Sequence, residues 1–524
     1  MRGLILENFG FRPTKEQEIA AEMMSYFLFQ RNADSIFVLR GYAGTGKTSL
    51  VGALVRSLVQ LKQQVVLMAP TGRAAKVFAL HAGHPAFTIH RRIYRQKSFT
   101  GEMTDFLQGV NLLRHTLFIV DEASMIANSG AGGTAFGSGC LLDDLVHFVY
   151  SGEGCRLMLV GDTAQLPPVG EEESPALATQ MLQGYGLQVH EMTLTEVVRQ
   201  LEGSGILWNA TRLRRMLADD DLYAFPQLRL AGFADIVHLP GSELIEALEQ
   251  AYYQCGTDGT IVVTRSNARA NVYNQGIRAR ILDYDSELAS GDQVIIVKNN
   301  YHWLKPEAEG ERGNQSNQSI QSNQINQSNQ SNRSNQSIPT TPTNPITPTT
   351  PSPRQSSMDF IANGDVAVVR RMRGERQEHG FRFADILLSF PDYDDLEVEA
   401  TAILDTLHSE APALTRQQQE SLFQHVWEDY PELTTKRERM KAVKEDPYFN
   451  ALQIKYAYAV TCHKAQGGQW ERVFIDQGYV TEDMLSADYF RWLYTALTRA
   501  TDRVYLVNWP RQELDAESQQ LLSD

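Results

Sequence analysis

The sequence predicts an α/β fold in which parallel β-sheets are flanked by helices and a smaller domain interrupts the chain. Short, nearly continuous apolar runs are typical of parallel strands that are covered on both faces. Before residue 300 four such runs occur: Val65–Ala69, Leu117–Val120, Leu157–Val160 and Ile261–Thr264. A glycine-rich loop follows the apolar run Ile36–Leu39 and precedes a helical run, as in strand-to-helix units. Similar runs resume at Tyr458–Val460 and Val504–Val507, after a region of different character.

That intervening region predicts a small antiparallel module and charged helices. Asp365–Val369 and Phe381–Leu388 have the pattern of strands, and Thr415–Lys444 has that of charged helices. Residues 311–357 instead repeat Asn, Gln and Ser and then Thr and Pro, without an aromatic residue. Because such a segment cannot bury a core, we expect it to be disordered. Both a tolerated repeat expansion in a surface loop and a tether for a partner remain open.

The composition is ordinary for a soluble protein of two to four domains. The chain has 524 residues, 42% of them apolar. It has neither a basic-then-apolar start nor a run of ~18 apolar residues, so we expect no secretion signal, no membrane contact and a cytoplasmic location. The four cysteines form no CxxC pair, so neither a zinc site nor a disulfide framework is expected.

The charge distribution favours local contact with a polyanion. A net charge of -15 argues against nonspecific coating of nucleic acid, but a global sum does not describe local fields. Thr71–Thr100 holds six Lys and Arg residues and no acid, with Phe78, Phe87 and Tyr94 interleaved, and Thr264–Arg280 holds four arginines and no acid. Either window alone could be a solvated face, and the aromatic residues could stack on bases or belong to the core.

The most specific local pattern is Gly-x-x-x-x-Gly-Lys-Thr, at the predicted strand-to-helix turn. Backbone N–H groups of such a loop wrap a polyphosphate, the lysine reaches the β and γ phosphates, and the final hydroxyl binds Mg²⁺. Lys47 is therefore a candidate catalytic residue and Thr48 a candidate metal ligand. The expected nucleotide-binding set in this loop is Gly41, Tyr42, Ala43, Gly44, Thr45, Gly46, Lys47 and Thr48.

Two further strand ends place polar side chains at the sheet edge where ligands bind. Asp121 suits Mg²⁺, held through water, and Glu122 suits polarisation of the attacking water. Beyond the next strand, Gln165 could sense the γ-phosphate. Acids often cap strand ends, so the pair alone is weak evidence. Downstream of a phosphate-binding loop it predicts an ATPase.

Further segments resemble the motifs of superfamily 1 helicases, in that family's order, and are most similar to its RecD-like and Dda-like branch, superfamily 1B. The resemblance covers Arg12 to about Leu506, apart from the polar insertion and most of residues 390–450. The segments are Thr14–Gln17 (Q motif), Pro70–Ala75 (motif Ia), Asp121–Ser124 (II), Gly161–Gly170 (III), Val197–Gln200 (IV), Thr461–Gly468 (V) and Tyr494–Ala500 (VI).

The resemblance implies two RecA-like P-loop core domains, with parallel sheets flanked by helices, and small inserted domains that include an SH3-like β-barrel. The first core domain would comprise residues 1–190, with a pin domain at about 78–115. The second would comprise 191–290 and 450–524. The SH3-like and helical insertion would comprise 291–449, including the polar segment 311–357.

The resemblance also implies roles for particular residues, with ATP and Mg²⁺ as cofactors. Gln17 would read adenine, and Arg199 and Arg499 would approach the γ-phosphate. Residues expected at single-stranded DNA are Thr71, Gly72, Arg73, His90, Thr461, His463 and Gln466. His90 could instead be a packing residue.

The activity implied is that of an ATP-dependent DNA helicase that moves 5′→3′ on single-stranded DNA and acts at duplex junctions. A monomer that meets DNA repair or recombination proteins is expected. Two alternatives remain open: an ATP-driven translocase that remodels RNA or nucleoprotein without unwinding DNA, and a nucleotide-switched binding module.

Overall fold

The computed structural model describes residues 1–96, 106–128, 138–198, 203–304 and 360–523. It contains two parallel sheets flanked by helices and a closed barrel, which confirms the predicted fold class. Arg199 and the polar insertion 311–357 lie outside the described residues. Within them, no helix combines the length and the apolar character that crossing a membrane requires.

The strands supply both sheets, the barrel and one hairpin. In chain order they are β1 (Ser35–Gly41), β2 (Val65–Ala69), β3 (Ala86–Thr88), β4 (Tyr94–Gln96), β5 (Phe106–Gln108), β6 (Leu117–Val120), β7 (Arg156–Gly161), β8 (Gln188–Leu194), β9 (Ile236–Leu239), β10 (Thr260–Thr264), β11 (Gln293–Ile296), β12 (Val366–Glu378), β13 (Phe381–Phe390), β14 (Leu396–Ile403), β15 (Leu452–Tyr456), β16 (Ala459–Thr461), β17 (Trp470–Asp476) and β18 (Ala500–Val507).

Helices cover both sheets and one side of the barrel. They are α1 (Arg2–Phe9), α2 (Lys15–Phe29), α3 (Lys47–Gln60), α4 (Gly72–Ala82), α5 (Ile89–Ile93), α6 (Leu141–Tyr150), α7 (Thr179–Gly184), α8 (Gly205–Ala218), α9 (Leu244–Cys255), α10 (Asn267–Arg280), α11 (Arg416–Glu428), α12 (Lys436–Glu445), α13 (Cys462–Ala465), α14 (Ala487–Leu497) and α15 (Ala516–Leu521).

The first core domain is built on a parallel sheet of order β3-β2-β6-β7-β1-β8. Alternate residues of β1 enter different cores: Ile36 and Val38 pack on one face, and Phe37 and Leu39 on the other. Both faces are therefore buried, which explains why these strands read as continuous apolar runs. The carboxyl ends of β1, β6 and β7 lie side by side at one edge of this sheet, where they place the phosphate loop and the predicted acids.

The second core domain is assembled from two separate parts of the chain. Its parallel sheet has the order β16-β10-β17-β18-β9, so it combines two strands from before the barrel with three from after it. Strand β17 lies between β10 and β18, so the sheet cannot form without the strands that follow the barrel in the chain. The barrel is thus an insertion within this second domain.

The inserted barrel is closed by β11, β12, β13, β14 and β15. Helices α11 and α12 pack on it through a small apolar cluster that includes Phe383, Leu422 and Val443. The barrel takes its last strand, Leu452–Tyr456, from beyond residue 449. In the region expected to hold the pin, β4 and β5 form an antiparallel hairpin, while Phe78 lies in α4 and in the core of the first domain.

Candidate functional site

The phosphate loop connects β1 to α3 in a conformation that depends on glycine. Gly44 and Gly46 both have φ of +79°, a backbone region that residues with a Cβ rarely adopt. A Cβ on Gly41 would lie 2.8 Å from Lys47 Cγ, so this position also requires glycine. Helix α3 begins at Lys47 without a side-chain cap, which leaves the N–H groups of its first turn for an anion.

Two side chains fold the loop onto its own backbone. Lys47 Nζ and Thr45 Oγ1 both donate to the Tyr42 carbonyl oxygen, at 3.0 and 2.8 Å. The Tyr42 ring in turn lies under the guanidinium of Arg214, from α8 in the second core domain, at 4.2 Å. The loop is therefore ordered by both core domains.

Gln17 is buried beside the loop, and both ends of its amide have partners. Its Nε2 donates to the Thr45 carbonyl at 3.0 Å, and its Oε1 accepts from the Thr14 backbone N–H at 2.9 Å. The second bond belongs to a capping box at the start of α2. In this structure Gln17 supports the phosphate loop, and its expected role in reading adenine stays a prediction.

The predicted acids lie at the carboxyl end of β6. Burial raises the pKa of Asp121 to about 6, and the neighbouring Glu122 charge adds to the rise. Asp121 also feels the positive charge of Lys47, so strand end and phosphate loop face the same site. A carboxylate and the Thr48 hydroxyl are oxygen ligands of the kind that Mg²⁺ prefers, so these residues fit the metal.

The turn after β7 brings the third predicted segment to this edge. Asp162 is 1% exposed and its Oδ1 accepts from the Ala164 N–H at 3.0 Å, which fixes the turn. Three residues on, Gln165 is buried, and its Oε1 has no hydrogen-bond partner among the described residues. A buried amide oxygen without a partner costs stability, so it is a candidate for a ligand or a water.

Helix α14 of the second core domain crosses to both the phosphate loop and this turn. The Tyr494 hydroxyl donates to Asp162 Oδ2 at 2.7 Å and accepts from the Ala43 N–H at 2.8 Å. Next along the helix, Thr495 Oγ1 accepts from the Leu166 N–H at 3.0 Å. The helix therefore joins the two halves of the candidate nucleotide site.

The predicted arginines meet the site differently. Arg499 is 3% exposed, and its guanidinium donates to the carbonyls of Thr495 and Gly468 at 3.1 and 3.2 Å. It stands beside the interface that α14 forms, held by its own domain. Arg199 lies outside the described residues, and the preceding Val198 N–H donates to the Gly44 carbonyl at 3.0 Å, so the described part of this segment contacts the phosphate loop.

The residues expected at DNA bring the two core domains into contact. A Cβ on Gly467 would meet Thr71 Oγ1 at 3.1 Å, so the segments Pro70–Ala75 and Thr461–Gly468 touch. The Arg73 guanidinium stacks over the Trp470 ring at 4.1 Å and donates to the Gln469 carbonyl.

The other candidates in these segments divide between coupling and surface positions. Gln466 Nε2 donates to the Leu166 carbonyl at 2.7 Å, which ties its segment to the turn after β7. His463 is exposed, and Thr461 is half-buried. His90 lies apart from them, next to the Tyr94 ring at 5.6 Å, and burial lowers its pKa to about 4, so its ring is neutral at pH 7.

The barrel covers the start of α4, a contact that the sequence did not reveal. A Cβ on Gly72 would lie 2.6 Å from Asp365 Oδ1 and 2.5 Å from the Tyr393 hydroxyl. Lys76 Nζ lies 3.2 Å from Asp392 Oδ1 and donates to the Pro391 carbonyl at 2.8 Å.

Sequence reasoning also missed Tyr494 and Arg214 as part of the site. Tyr494 begins the same motif VI segment that contains Arg499, so the motif itself could have identified it. Arg214 occurs in an amphipathic helix that gives no sign of its partner, the Tyr42 ring.

Comparison with known proteins places these segments in named families. Residues 16–225 match the AAA domain family, and residues 456–507 match the UvrD-like helicase C-terminal domain. The two regions together make up half of the chain. A stretch of 158 residues, 30% of this chain, is 32% identical to the ATP-dependent RecD2 DNA helicase of Deinococcus radiodurans, and it spans 19% of that protein.

Two solved structures align with almost the whole chain at low identity. The Pif1 helicase from Bacteroides in complex with ADP-AlF3 and single-stranded DNA is 14% identical, with a TM-score of 0.43, over 98% of this chain and 96% of the other. The Pif1 helicase from Candida albicans is 16% identical, with a TM-score of 0.38, over 98% of both chains.

The two matched domains contain the central groups of the candidate site. The first match contains the phosphate loop, Asp121 and Gln165, and the second contains Thr461–Gly468 and Arg499. The chain thus carries an AAA domain and a UvrD-like helicase C-terminal domain, and its segments resemble those of the RecD-like superfamily 1 helicases.

Proposed function

We propose that this protein is an ATP-dependent DNA helicase that couples ATP hydrolysis to 5′→3′ movement on single-stranded DNA and to duplex unwinding. The observation that carries the proposal is the pair of hydrogen bonds that the Tyr494 hydroxyl makes, accepting from the Ala43 N–H and donating to Asp162, since it joins the phosphate loop to the second core domain. The match to RecD2, named an ATP-dependent DNA helicase, supports it.

Each side of the nucleotide site has its own task. When bound, ATP would supply the phosphoanhydride bond that is cleaved, and Mg²⁺ would help to neutralise the charge that develops on the phosphate oxygens. Thr48 and Asp121 would hold the metal, and Lys47 would contact the β and γ phosphates. Glu122 would orient the attacking water, while Gln165 would stand at the γ-phosphate.

Two arginines associated with the second core domain would complete the nucleotide site. Arg499, together with Arg199, would stabilise the charge of the transition state, as arginine fingers do. Because ATP would then contact both domains, binding favours their closure and hydrolysis releases it.

Domain closure would act on DNA through the segments that touch across the interface. Thr71, Gly72 and Arg73 lie on the first core domain, and Thr461, His463 and Gln466 lie on the second. A strand that lies across both would be gripped alternately as they open and close. The 5′→3′ direction rests on the reading His-Lys-Ala-Gln-Gly in residues 463–467.

An unwinding assay tests activity and direction together. We expect ATP-dependent strand displacement from a duplex with a 5′ single-stranded tail and little from one with a 3′ tail. Lys47→Ala, which removes the amine that contacts the phosphates, should abolish both turnover and unwinding. Unwinding by this variant at the wild-type rate would contradict the proposal, and preference for the 3′ tail would reverse the direction.

The two alternatives predict different results. A translocase for RNA or nucleoprotein would hydrolyse ATP in the presence of nucleic acid without displacing a DNA strand. A nucleotide-switched binding module would hydrolyse ATP slowly, whether or not DNA is added. The contact between residues 70–75 and 461–468 favours a motor over a switch, because a switch needs no such paired surface.

A further inference from the structure

We propose that the Tyr494 hydroxyl positions Arg499 and the Asp162 turn relative to the phosphate loop, and that this bridge converts nucleic-acid binding into faster ATP hydrolysis. Tyr494 would act through its partners, without touching the nucleotide itself. The inference rests on the proposed ATP-driven function and assigns the link between its two domains to one side-chain oxygen.

The bridge is fully buried and uses both functions of the hydroxyl. Tyr494 and Asp162 are each 1% exposed. The hydroxyl donates to Asp162 Oδ2 at 2.7 Å, and it accepts from the Ala43 N–H at 2.8 Å. Removing the oxygen would therefore leave a buried N–H without its acceptor and a buried carboxylate short of a donor, both of which are costly.

Burial keeps the hydroxyl protonated and able to donate. It raises the pKa of Tyr494 well above the usual value of 10.0, and the Asp162 carboxylate raises it further. The hydroxyl of the bridge therefore stays neutral and able to donate over the whole physiological pH range.

The three partners of the bridge each continue into a catalytic segment. Ala43 lies in the phosphate loop between Gly41 and Lys47. Asp162 begins the turn that holds Gln165. Tyr494 shares the last turns of α14 with Thr495, whose carbonyl accepts from Arg499 Nε at 3.1 Å. A displacement of α14 would thus move Arg499, the turn and the loop relative to one another.

Thr495, the next residue of α14, connects the helix to the segment Thr461–Gly468, which is expected at DNA. Leu166 is held through both backbone groups: its N–H donates to Thr495 Oγ1, and its carbonyl accepts from Gln466 Nε2. Gln466 belongs to the segment that touches Thr71–Ala74 through Gly467. Contacts thus run continuously from the proposed DNA surface, through Leu166, to the helix that carries Tyr494.

The test compares Tyr494→Phe with Tyr489→Phe, which removes a hydroxyl from the same helix. Tyr489 is also buried, but its hydroxyl donates to Gln477 Oε1 at 2.8 Å, within the second core domain. The readout is the ratio of ATP turnover with and without single-stranded DNA, measured on the full chain. This ratio does not depend on the fraction of folded molecules.

We expect Tyr494→Phe to lower the ratio at least tenfold and Tyr489→Phe to leave it within twofold of wild type. An equal fall in both turnover rates of Tyr494→Phe, which leaves the ratio unchanged, would overturn the inference and indicate a merely structural role. A ratio that falls equally in both variants would also overturn it.

Asp162→Asn provides a second route to the same answer if Tyr494→Phe folds poorly. It keeps the shape of the side chain but removes the carboxylate that accepts from the hydroxyl. We expect the same selective loss of stimulation, and no further loss when both substitutions are combined. Additive losses would overturn the inference. A wild-type chain without ATP turnover would instead overturn the proposed function, which separates the two failures.

Discussion

The first core domain makes two contacts that differ in chemistry, one with the second core domain and one with the barrel. The contact with the second core domain includes the buried hydrogen bonds of Tyr494, Thr495 and Gln466, beside the stacking of Arg73 on Trp470 and of Arg214 on Tyr42. The contact with the barrel is partly exposed and charged: the Lys76 side chain, 52% exposed, meets Asp392.

This difference suits one contact to transmit a displacement between domains and the other to respond to salt and pH. Buried hydrogen bonds depend on distance and angle, and solvent ions barely screen them, so the inter-core contact is suited to transmit a displacement. An exposed ion pair weakens with salt, and a buried carboxylate such as Asp365 responds to pH. The barrel contact is thus the one that solution conditions can change.

The largest expected effect comes from Arg499, which its own domain holds beside the inter-core contact. Arg499→Ala should lower DNA-stimulated ATP turnover by about 10³ to 10⁵ if the residue acts as an arginine finger. Steady-state ATPase assays measure this, with Arg511→Ala, an exposed arginine of the same domain, as the control. Turnover within tenfold of wild type would mean that Arg499 does not act as an arginine finger.

A smaller effect is expected from Thr495→Val, which preserves shape but removes the oxygen that accepts from Leu166. Leaving a buried N–H without a partner costs about 1 to 3 kcal/mol, so DNA stimulation should fall roughly five- to a hundredfold. Because the group is uncharged, the loss should be the same at about 0.05 and about 0.5 M salt. Thr501→Val, an exposed threonine bonded within its own domain, is the control. A salt-dependent loss would contradict the distinction between the two contacts.

The barrel contact should change with pH through Asp365. Burial raises the pKa of this carboxyl to about 7, above the value of 3.8 taken for the unfolded chain. The folded protein therefore holds the proton where the unfolded chain releases it. The contribution of Asp365 to stability is greatest below about pH 4 and falls as pH rises to about 7.

Asp365→Asn removes this titration, so its free energy of unfolding relative to wild type should increase between about pH 4 and pH 7. Urea denaturation across that range measures the difference. The nearby Asp392, whose charge adds to the rise in the pKa of Asp365, is present in both proteins. A difference that stays constant with pH would show that Asp365 does not make the barrel contact pH-sensitive.

The smallest effect is expected from Lys76→Ala, which removes the ion pair between the exposed Lys76 side chain and the partly buried Asp392. Such pairs contribute about 0.2 to 1 kcal/mol, and salt reduces this. Hydrogen exchange at the first turn of α4 should become up to about fivefold faster at low salt, and the difference from wild type should vanish at about 0.5 M. Lys15→Ala, at an exposed lysine of the same domain, is the control. A difference that persists at high salt would assign the effect to packing.

Local patterns predicted what depends on neighbours in sequence. The glycine loop, the parallel strands and the acids at strand ends follow from periodicity and from residue types that only a few conformations accept. Gln17 shows how two local readings can compete: the spacing Thr14-x-x-Gln17 also fits a capping box, and that is the bond the structure contains. The other end of the Gln17 amide donates to the Thr45 carbonyl, and Thr45 becomes its neighbour only in the folded chain.

Contacts between distant segments could not be predicted in this way. Tyr494 and Ala43 are 451 positions apart, and helical periodicity identifies the buried face of α14 without naming what covers it. The same holds for Asp365, whose carboxylate reaches Gly72 only because the barrel docks against α4. Sequence patterns therefore located the chemical groups, and tertiary packing determined which of them work together.

The pairing of Asn300 with Ile361 has a consequence for protein engineering. The two residues exchange both backbone hydrogen bonds at 2.8 Å, on either side of residues 305–359, and β11 and β12 pair just beyond them. The barrel wall is thus sealed at the point where the polar segment leaves and returns. Since closing a longer loop costs only about 0.6 kcal/mol per doubling of its length, this position should accept a fluorescent reporter or an affinity module in place of the natural segment. The barrel would then act as a scaffold that carries an inserted domain.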